Sequence, residues 1–158
     1  MPFCYKARML RPARTFLLLR MVQLKALALM SEALADTGLT PNQYAVLSIA
    51  SHHEEWSTSA MARRFTVSTQ SMNETVGALE KKGLITRRES PEHRRILHIR
   101  LTSAGTRTLA RAERAIDAVE KEAFGALSGV ELAQFRDYLG RALSKESSEE
   151  RAVARVKA

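Results

Sequence analysis

Features of secreted, membrane and zinc-binding proteins are scarce in this 158-residue chain. Cys4 is the only cysteine, which excludes an internal disulfide and a cysteine-rich zinc site and is typical of a reducing cytoplasm. The longest apolar run near the N-terminus, Phe16 to Leu19, ends at Arg20 and is too short to cross a membrane. We therefore expect a cytoplasmic protein without a membrane partner.

Signatures of catalysis are missing as well. The sequence has no glycine-rich phosphate loop, no paired cysteine ligands and no nucleophile motif such as GxSxG. We interpret the adjacent His52 and His53 as a helix-end feature rather than as metal ligands. The sequence thus predicts a protein that is not an enzyme and has no catalytic residue, metal or cofactor.

Acidic residues are absent from Met1 to Lys25, a stretch with six basic ones, and the whole chain carries a net charge of +8. Between Lys81 and Arg100 there are seven basic and two acidic residues, whereas the balance reverses between Glu113 and Glu150. Such an excess attracts polyanions, either nucleic acid or an anionic membrane. An arginine-rich start also occurs in transit peptides, but the following segment is typical of a continuous helix.

Aromatic residues make up only 6% of the chain, and the abundant Ala, Leu, Arg and Glu favour helices. The segment from Arg14 to Ala35 lacks Gly and Pro and has apolar residues on nearly every face. A helix that is apolar all round must be covered on several sides. We therefore expect a second subunit to cover it.

The centre of the chain predicts a helix-turn-helix. Thr40 to Gln43 is a capping box that starts one helix, and Ser57 starts a short helix that ends at Phe65. Ser68 caps a third helix, from Thr69 to Lys82, which Gly83 ends. A short helix, a tight turn and a longer helix are typical of this DNA-binding motif.

Two strands joined by a polar turn follow, Leu84 to Glu89 and Ile96 to Leu101, and predict a hairpin. A hairpin after a helix-turn-helix makes a winged helix. Thr102 then caps a long helix from Ser103 to Leu127, and Ser128 to Glu131 is a capping box for a last helix. The apolar stripe of that last helix comprises Leu132, Phe135, Leu139 and Leu143.

The second helix of the motif is suited to the major groove, where base edges present distinct donor and acceptor patterns. Met72, Val76 and Leu79 share a stripe that we expect in the core, so the opposite face would be presented to DNA. Arg94 and Arg95 lie at the hairpin tip, where a wing reaches the neighbouring minor groove or the backbone. The predicted DNA contacts are Arg63, Ser68, Thr69, Gln70, Ser71, Asn73, Glu74, Arg94 and Arg95.

The order of these motifs resembles the MarR family of bacterial transcription regulators over about Arg14 to Leu143. The most specific segments are LEKKGLITR, SPEHRR and LTSAG. The resemblance implies an obligate homodimer built from the first and the last two helices, and a palindromic DNA operator. It also implies that a small phenolic or otherwise lipophilic ligand weakens DNA binding.

The resemblance implies three regions within a mainly α fold, a winged helix-turn-helix with a helical dimerisation domain. Residues 1–38 would form the N-terminal tail and first dimerisation helix. Residues 39–101 would form the DNA-binding lobe with its small β-hairpin wing, and residues 102–158 the C-terminal dimerisation helices and tail. The ligand-binding residues stay unassigned.

Several positions depart from the family pattern. Ser90 and His93 stand where the wing usually carries Asp, so the usual acidic anchor of its arginines is missing. Glu74 and Ala78 stand where the recognition helix often has Arg. Cys4 lies about a dozen residues before the reactive cysteine of the peroxide-sensing branch, which disfavours a redox role.

The function that we expect is a homodimeric, sequence-specific transcription regulator, a repressor released by a small molecule. The alternatives are an architectural winged-helix protein that binds DNA with low specificity and a protein-interaction module that does not bind DNA.

Overall fold

Six α-helices and one antiparallel hairpin make up the described part of a computed structural model, residues 14–52, 56–89 and 96–143. No helix within these ranges is long and apolar enough to cross a membrane. The mainly α winged-helix fold expected from the sequence is confirmed. The elements are α1 Thr15–Ala33, α2 Pro41–His52, α3 Thr58–Phe65, α4 Thr69–Lys81, β1 Ile85–Glu89, β2 Leu97–Leu101, α5 Ser103–Ala123 and α6 Gly129–Leu143, with a 3₁₀ turn at Ala35–Thr37.

The predicted helix starts are confirmed by their caps. The Thr40 amide donates to Gln43 Oε1 at 3.3 Å, and the Gln43 amide donates to Thr40 Oγ1 at 3.2 Å. Ser57 Oγ accepts from the Ala60 amide at 3.2 Å at the start of α3. These bonds satisfy backbone donors that the first turn of a helix leaves without partners, so they define where each helix begins.

The helix predicted to run to Leu127 ends four residues earlier, at Ala123. The Gly125 amide donates to the Glu122 carbonyl at 3.3 Å, a three-residue spacing that tightens the last turn and ends the helix. The Phe124 side chain packs against Phe135 of α6, with ring centroids 5.8 Å apart. The prediction ran too far because it continued through Gly125, which has a low helix propensity, and because the packing of Phe124 on Phe135 was not visible in the sequence.

The capping box that begins α6 has its predicted partners. The Glu131 amide donates to Ser128 Oγ at 3.3 Å, and the Ser128 amide donates back to Glu131 Oε2 at 2.8 Å. The backbone hydrogen bond from Ser128, followed by that from its hydroxyl, lowers the pKa of the Glu131 carboxyl below its ordinary value. On the predicted apolar stripe of α6, Leu143 is exposed and Leu132 is half-buried.

By its internal contacts the chain divides into two compact units, residues 1–119 and 120–158, and the core lies in the first. Leu47 from α2, Met61 from α3 and Leu79 from α4 are fully buried there together with Ile85 and Ile99 of the hairpin. The remaining buried apolar residues are Leu34, Leu39, Val46, Ala50, Ala62, Met72, Val76, Leu84, Leu109 and Ala112. One core therefore supports both the helix-turn-helix and the base of the hairpin.

The hairpin pairs Ile85 with Leu101 and Arg87 with Ile99, so these residues share one face of the sheet. The Ile99 amide also donates to the Trp56 carbonyl at 2.9 Å, and Ser57 forms a bridge with His98. Strand β2 is thus bonded to β1 and to the backbone just before α3. This arrangement attaches the stem of the wing to the helix-turn-helix.

Thr102 joins the end of α4 to the start of α5. Its hydroxyl donates to the Gly83 carbonyl at 2.7 Å and accepts from the Gly105 amide at 3.0 Å. Its own amide donates to the Leu84 carbonyl at 3.0 Å. Gly83 has a φ of +68°, which glycine adopts without steric cost, so α4 can end sharply at this position.

Lys82 makes a second connection at the end of α4. Its Nζ donates to the Gly38 carbonyl at 2.6 Å and to Gln43 Oε1 at 2.8 Å. Gln43 thereby accepts from both the α2 cap and the residue that follows α4. The start of α2 and the end of α4 are consequently held together by one buried amide group.

We predict that Gly105→Ala destabilises the fold, by about 1–3 kcal/mol, because a Cβ there would lie only 1.9 Å from the Leu84 carbonyl oxygen. Urea unfolding at fixed protein concentration would measure this. Gly129→Ala is the matched control, since nothing lies within 4 Å of a Cβ at that position. Equal stability of the two variants would contradict the close packing of α5 on the backbone of Leu84, just before β1.

Candidate nucleic-acid interface

Helix α4 has one buried and one exposed face, as its pattern predicted. Met72, Val76 and Leu79 are at most 4% exposed and pack into the core. Gln70 and Asn73 are exposed on the opposite side. The core contacts thus leave the polar side chains of α4 available to a large partner such as a duplex.

The turn before α4 is tight because Thr66 adopts a left-handed φ of 54°. The Val67 amide donates to the Ala62 carbonyl at 3.0 Å and closes the end of α3. Ser68 then caps α4 by accepting from the Ser71 amide at 3.1 Å. Since that cap occupies the Ser71 amide, a phosphate at this helix start would have to use the other amides or the exposed hydroxyl groups.

A shallow groove runs along the exposed face of α4. Its outline follows helical spacing over three turns, which places small and polar side chains in one row. The sequence predicts Gln70, Asn73, Glu74 and Gly77 on this face but does not include Lys81, although the same helical spacing reaches it. The groove is lined by Gln70, Asn73, Glu74, Gly77, Ala78 and Lys81.

Glu74 is a negative charge on a face expected to meet a polyanion. Gln70 Nε2 lies 3.5 Å from Glu74 Oε1, so the amide and the carboxylate stand side by side one turn apart. Within the described ranges, the ion pairs join Arg87 to Glu80, Arg136 to Glu120 and Arg141 to Asp137. None of these neutralises Glu74, whose carboxylate stays exposed.

Arg87 and Arg88 point to opposite faces of β1 and have different surroundings. Arg87 Nε lies 3.1 Å from Glu80 Oε2, an electrostatic contact without the alignment of a hydrogen bond. Arg87 Nη2 lies 3.9 Å from the position of a Cβ on Gly77. The Arg87 side chain therefore connects β1 to the C-terminal half of α4, whereas Arg88 is exposed.

Of the other predicted DNA contacts, two lie within the described residues and two lie outside them. Arg63 is exposed in the last turn of α3, Thr69 is exposed at the start of α4, and both belong to the same compact unit. Arg94 and Arg95 lie outside the described residues, and so do Ser90 and His93. Across the described ranges, no group of three or more His, Cys, Asp or Glu residues could hold a metal ion.

We predict a small but measurable coupling between Arg87 and Glu80, about 0.2–1 kcal/mol, since both side chains are partly exposed at 25% and 44%. Urea unfolding of Arg87→Gln, Glu80→Gln and the double variant would give the coupling energy. Arg88→Gln is the matched control on the opposite face, with an expected change within about 0.5 kcal/mol. Strictly additive effects of the Arg87 and Glu80 variants would refute the contact.

Comparisons with known proteins place this geometry in a family. The MarR family model matches residues 39–97, the segment from the end of the α1–α2 connection to the start of β2. A putative transcriptional regulatory protein for the hcr operon of Thauera aromatica is 33% identical over 130 residues, which cover 82% of this chain and 78% of that protein.

Two solved structures superpose on most of the chain. A MarR-family transcriptional regulator from Rhodococcus sp. RHA1 has a TM-score of 0.75 and 28% identity, covering 80% of this chain and 89% of that chain. CouR from Rhodococcus jostii RHA1, bound to p-coumaroyl-CoA, has a TM-score of 0.74 and 28% identity, covering 81% and 90%. The chain therefore belongs to the MarR family of winged helix-turn-helix transcription regulators.

Proposed function

We propose that this protein is a homodimeric, sequence-specific DNA-binding repressor that a small molecule releases from its operator. The observation that carries the proposal is the exposed polar face of α4, which faces away from a core formed by Met72, Val76 and Leu79. A helix exposed on one side can enter a major groove that is about 12 Å wide. We propose that it acts in the cytoplasm, because a bacterial chromosome lies there.

In the proposed complex, α4 is the recognition helix and the hairpin is the wing. Gln70 and Asn73 would contact base edges, since their amides can pair with adenine. Arg94 and Arg95 would hold the neighbouring backbone or minor groove, and Arg63 a phosphate. The hydroxyl groups of Ser68, Thr69 and Ser71 and the Thr69 amide, all at the start of α4, would contribute further phosphate contacts.

The apolar surface of α1 supports the homodimer. None of its residues is buried within the single chain, and Phe16 is 87% exposed. A continuous apolar surface of this kind is rare on a monomer and marks an interface. The exposed large apolar residues of α1 are Phe16, Leu17, Leu18, Leu19, Met21, Val22, Leu24 and Leu27.

The proposed regions follow from this assignment. Residues 1–38 and 102–158 would supply the dimerisation helices and tails, and residues 39–101 the DNA-binding lobe. Two lobes related by a two-fold axis read an inverted repeat, with half-sites about one helical turn, or ~34–36 Å, apart. A palindromic operator is therefore the partner that we propose.

The proposed effector is a small phenolic or otherwise lipophilic compound. Its support is the structure of CouR, whose p-coumaroyl-CoA carries a phenolic acyl group, and that of the Mycobacterium tuberculosis MarR family protein Rv2887 in complex with salicylic acid, which are 28% and 27% identical to this chain. A ligand can release DNA only if it binds the DNA-free arrangement more tightly than the DNA-bound one. Addition of an effector should therefore raise the dissociation constant for the operator.

Selection of bound sequences from a random DNA pool tests the proposal. We expect an enriched inverted repeat that binds roughly 10³-fold or more tightly than random DNA, and an affinity that falls steeply with salt. Asn73→Ala should relax the preference at one position of each half-site. Equal binding of selected and random DNA would instead favour the low-specificity architectural function, and a flat salt response would favour a module that does not bind DNA.

We expect Leu24→Glu to shift the protein from dimer to monomer in sedimentation velocity. Leu24 is 51% exposed in the single chain, so a charge there costs little unless a second subunit covers it. Gln23→Glu introduces the same charge at the adjacent exposed position and should remain dimeric. Dimers that persist in Leu24→Glu would contradict an interface formed by this face of α1.

A further inference from the structure

We infer that Gln70 and Glu74 act as one unit that recognises a C·G base pair, with Glu74 as the specificity-determining residue. The inference rests on the proposed function, because it requires α4 to lie in the major groove. It names the base pair that this part of α4 prefers. Glu74 would accept a hydrogen bond from the cytosine amino group, and Gln70 would donate one to the paired guanine.

The spacing of the two side chains matches the edge of this base pair. Gln70 Nε2 and Glu74 Oε1 are 3.5 Å apart, a donor beside an acceptor. In a C·G pair the cytosine N4 amino group and guanine O6 are hydrogen-bonded to each other, so they lie ~2.9 Å apart. Both are also presented in the major groove, where N4 is a donor and O6 an acceptor. Gln70 and Glu74 therefore present a donor and an acceptor opposite the guanine acceptor and the cytosine donor, and the two side-chain atoms are separated by a distance similar to that between the two base atoms.

The hydrogen-bonding capacity of both groups is sufficient for this arrangement. The Gln70 amide nitrogen carries two hydrogens, one for Glu74 Oε1 and one for guanine O6. Each carboxylate oxygen has two lone pairs, so Glu74 can accept from Gln70 and from cytosine N4 together. The contact with Gln70 thus leaves Glu74 with enough acceptor capacity for the cytosine amino group.

The charge of Glu74 restricts what it can contact. An exposed carboxylate that none of the ion pairs among the described residues neutralises would be repelled by phosphates. In the major groove only the amino groups of cytosine and adenine donate hydrogen bonds. Adenine places its N7 acceptor beside that amino group, which would repel the second carboxylate oxygen, whereas cytosine has no acceptor there. Cytosine is therefore the base that fits.

The rest of the groove permits a close approach. Gly77 and Ala78 follow Glu74 by three and four residues and leave the next turn without a long side chain. Lys81 lies at the far end of the same groove, one turn further, where a positive charge can meet a phosphate. The carboxylate therefore stands between the Gln70 amide and a turn of small residues, where Arg87 Nη2 lies 3.9 Å from the position of a Cβ on Gly77.

The experiment compares wild type, Glu74→Ala, Glu74→Gln and the charge-matched control Glu122→Gln, an exposed position of α5. We expect the operator selected by wild type to contain a C·G pair whose replacement weakens binding roughly 5- to 150-fold. Glu74→Ala should lose that preference at this position alone, while its affinity for random DNA stays equal or rises. Glu122→Gln should keep the wild-type preference.

A chemically modified operator isolates the amino group. Replacing the contacted cytosine by N4-methylcytosine removes the hydrogen that points into the groove while the base pair is kept. This should weaken wild type and leave Glu74→Ala unchanged. Equal effects on both proteins would overturn the inference.

The outcomes separate this inference from the proposed function. If Glu74→Ala binds operator and random DNA more tightly by the same factor, Glu74 is only repulsive and the inference is wrong. An enriched inverted repeat with no position that responds to Glu74→Ala also overturns the inference and leaves the proposed function standing. Failure to enrich any sequence overturns the proposed function and the inference with it.

Discussion

The contact between Thr102 and the Gly83–Leu84 backbone is the constraint on which the arrangement of α4, β1 and α5 depends. Two carbonyls at the end of α4 accept from the Thr102 hydroxyl and amide, at 2.7 and 3.0 Å. The absence of a side chain at Gly105 lets α5 approach the same backbone. The end of α4, the start of β1 and the start of α5 therefore share one junction.

Lys82 and Arg111 connect this junction to the segment before α2. Lys82 donates to the Gly38 carbonyl and Arg111 Nη2 donates to the Asp36 carbonyl at 3.1 Å. Asp36 lies within the 3₁₀ turn and Gly38 caps it, so both cations bond to carbonyl oxygens of this short turn. The connection from α1 is thereby hydrogen-bonded to Lys82, which follows α4, and to Arg111 of α5.

The exposed surfaces of α1 and α4 differ in polarity. Helix α1 presents apolar side chains that only another apolar surface can cover, whereas α4 presents amides, a carboxylate and, at Lys81, an ammonium group. In our proposal the first surface makes the dimer and the second meets DNA. Glu74 matters in this division because its charge opposes general attraction to DNA and is useful only where a base donates to it.

Local signals in the sequence determined the helix starts, the strand alternation and the exposed side of α4. Caps such as Thr40 and Ser68 act within three residues, and the stripe of Met72, Val76 and Leu79 follows from helical periodicity. Contacts between distant residues could not be obtained in this way. The partner of Arg87 depends on side chains that the fold brings together.

The candidate site divides in the same manner. Its residues on α4 were predictable because they lie on one face of the helix. Gln70 and Asn73 are exposed because they lie opposite the buried stripe. Only the tertiary structure decided that Arg87, rather than Arg88, contacts Glu80, because that choice depends on which face of β1 packs on α4. The tertiary structure likewise decided why Gly105 must be glycine, since the Leu84 carbonyl that excludes a Cβ lies 21 residues away in the sequence.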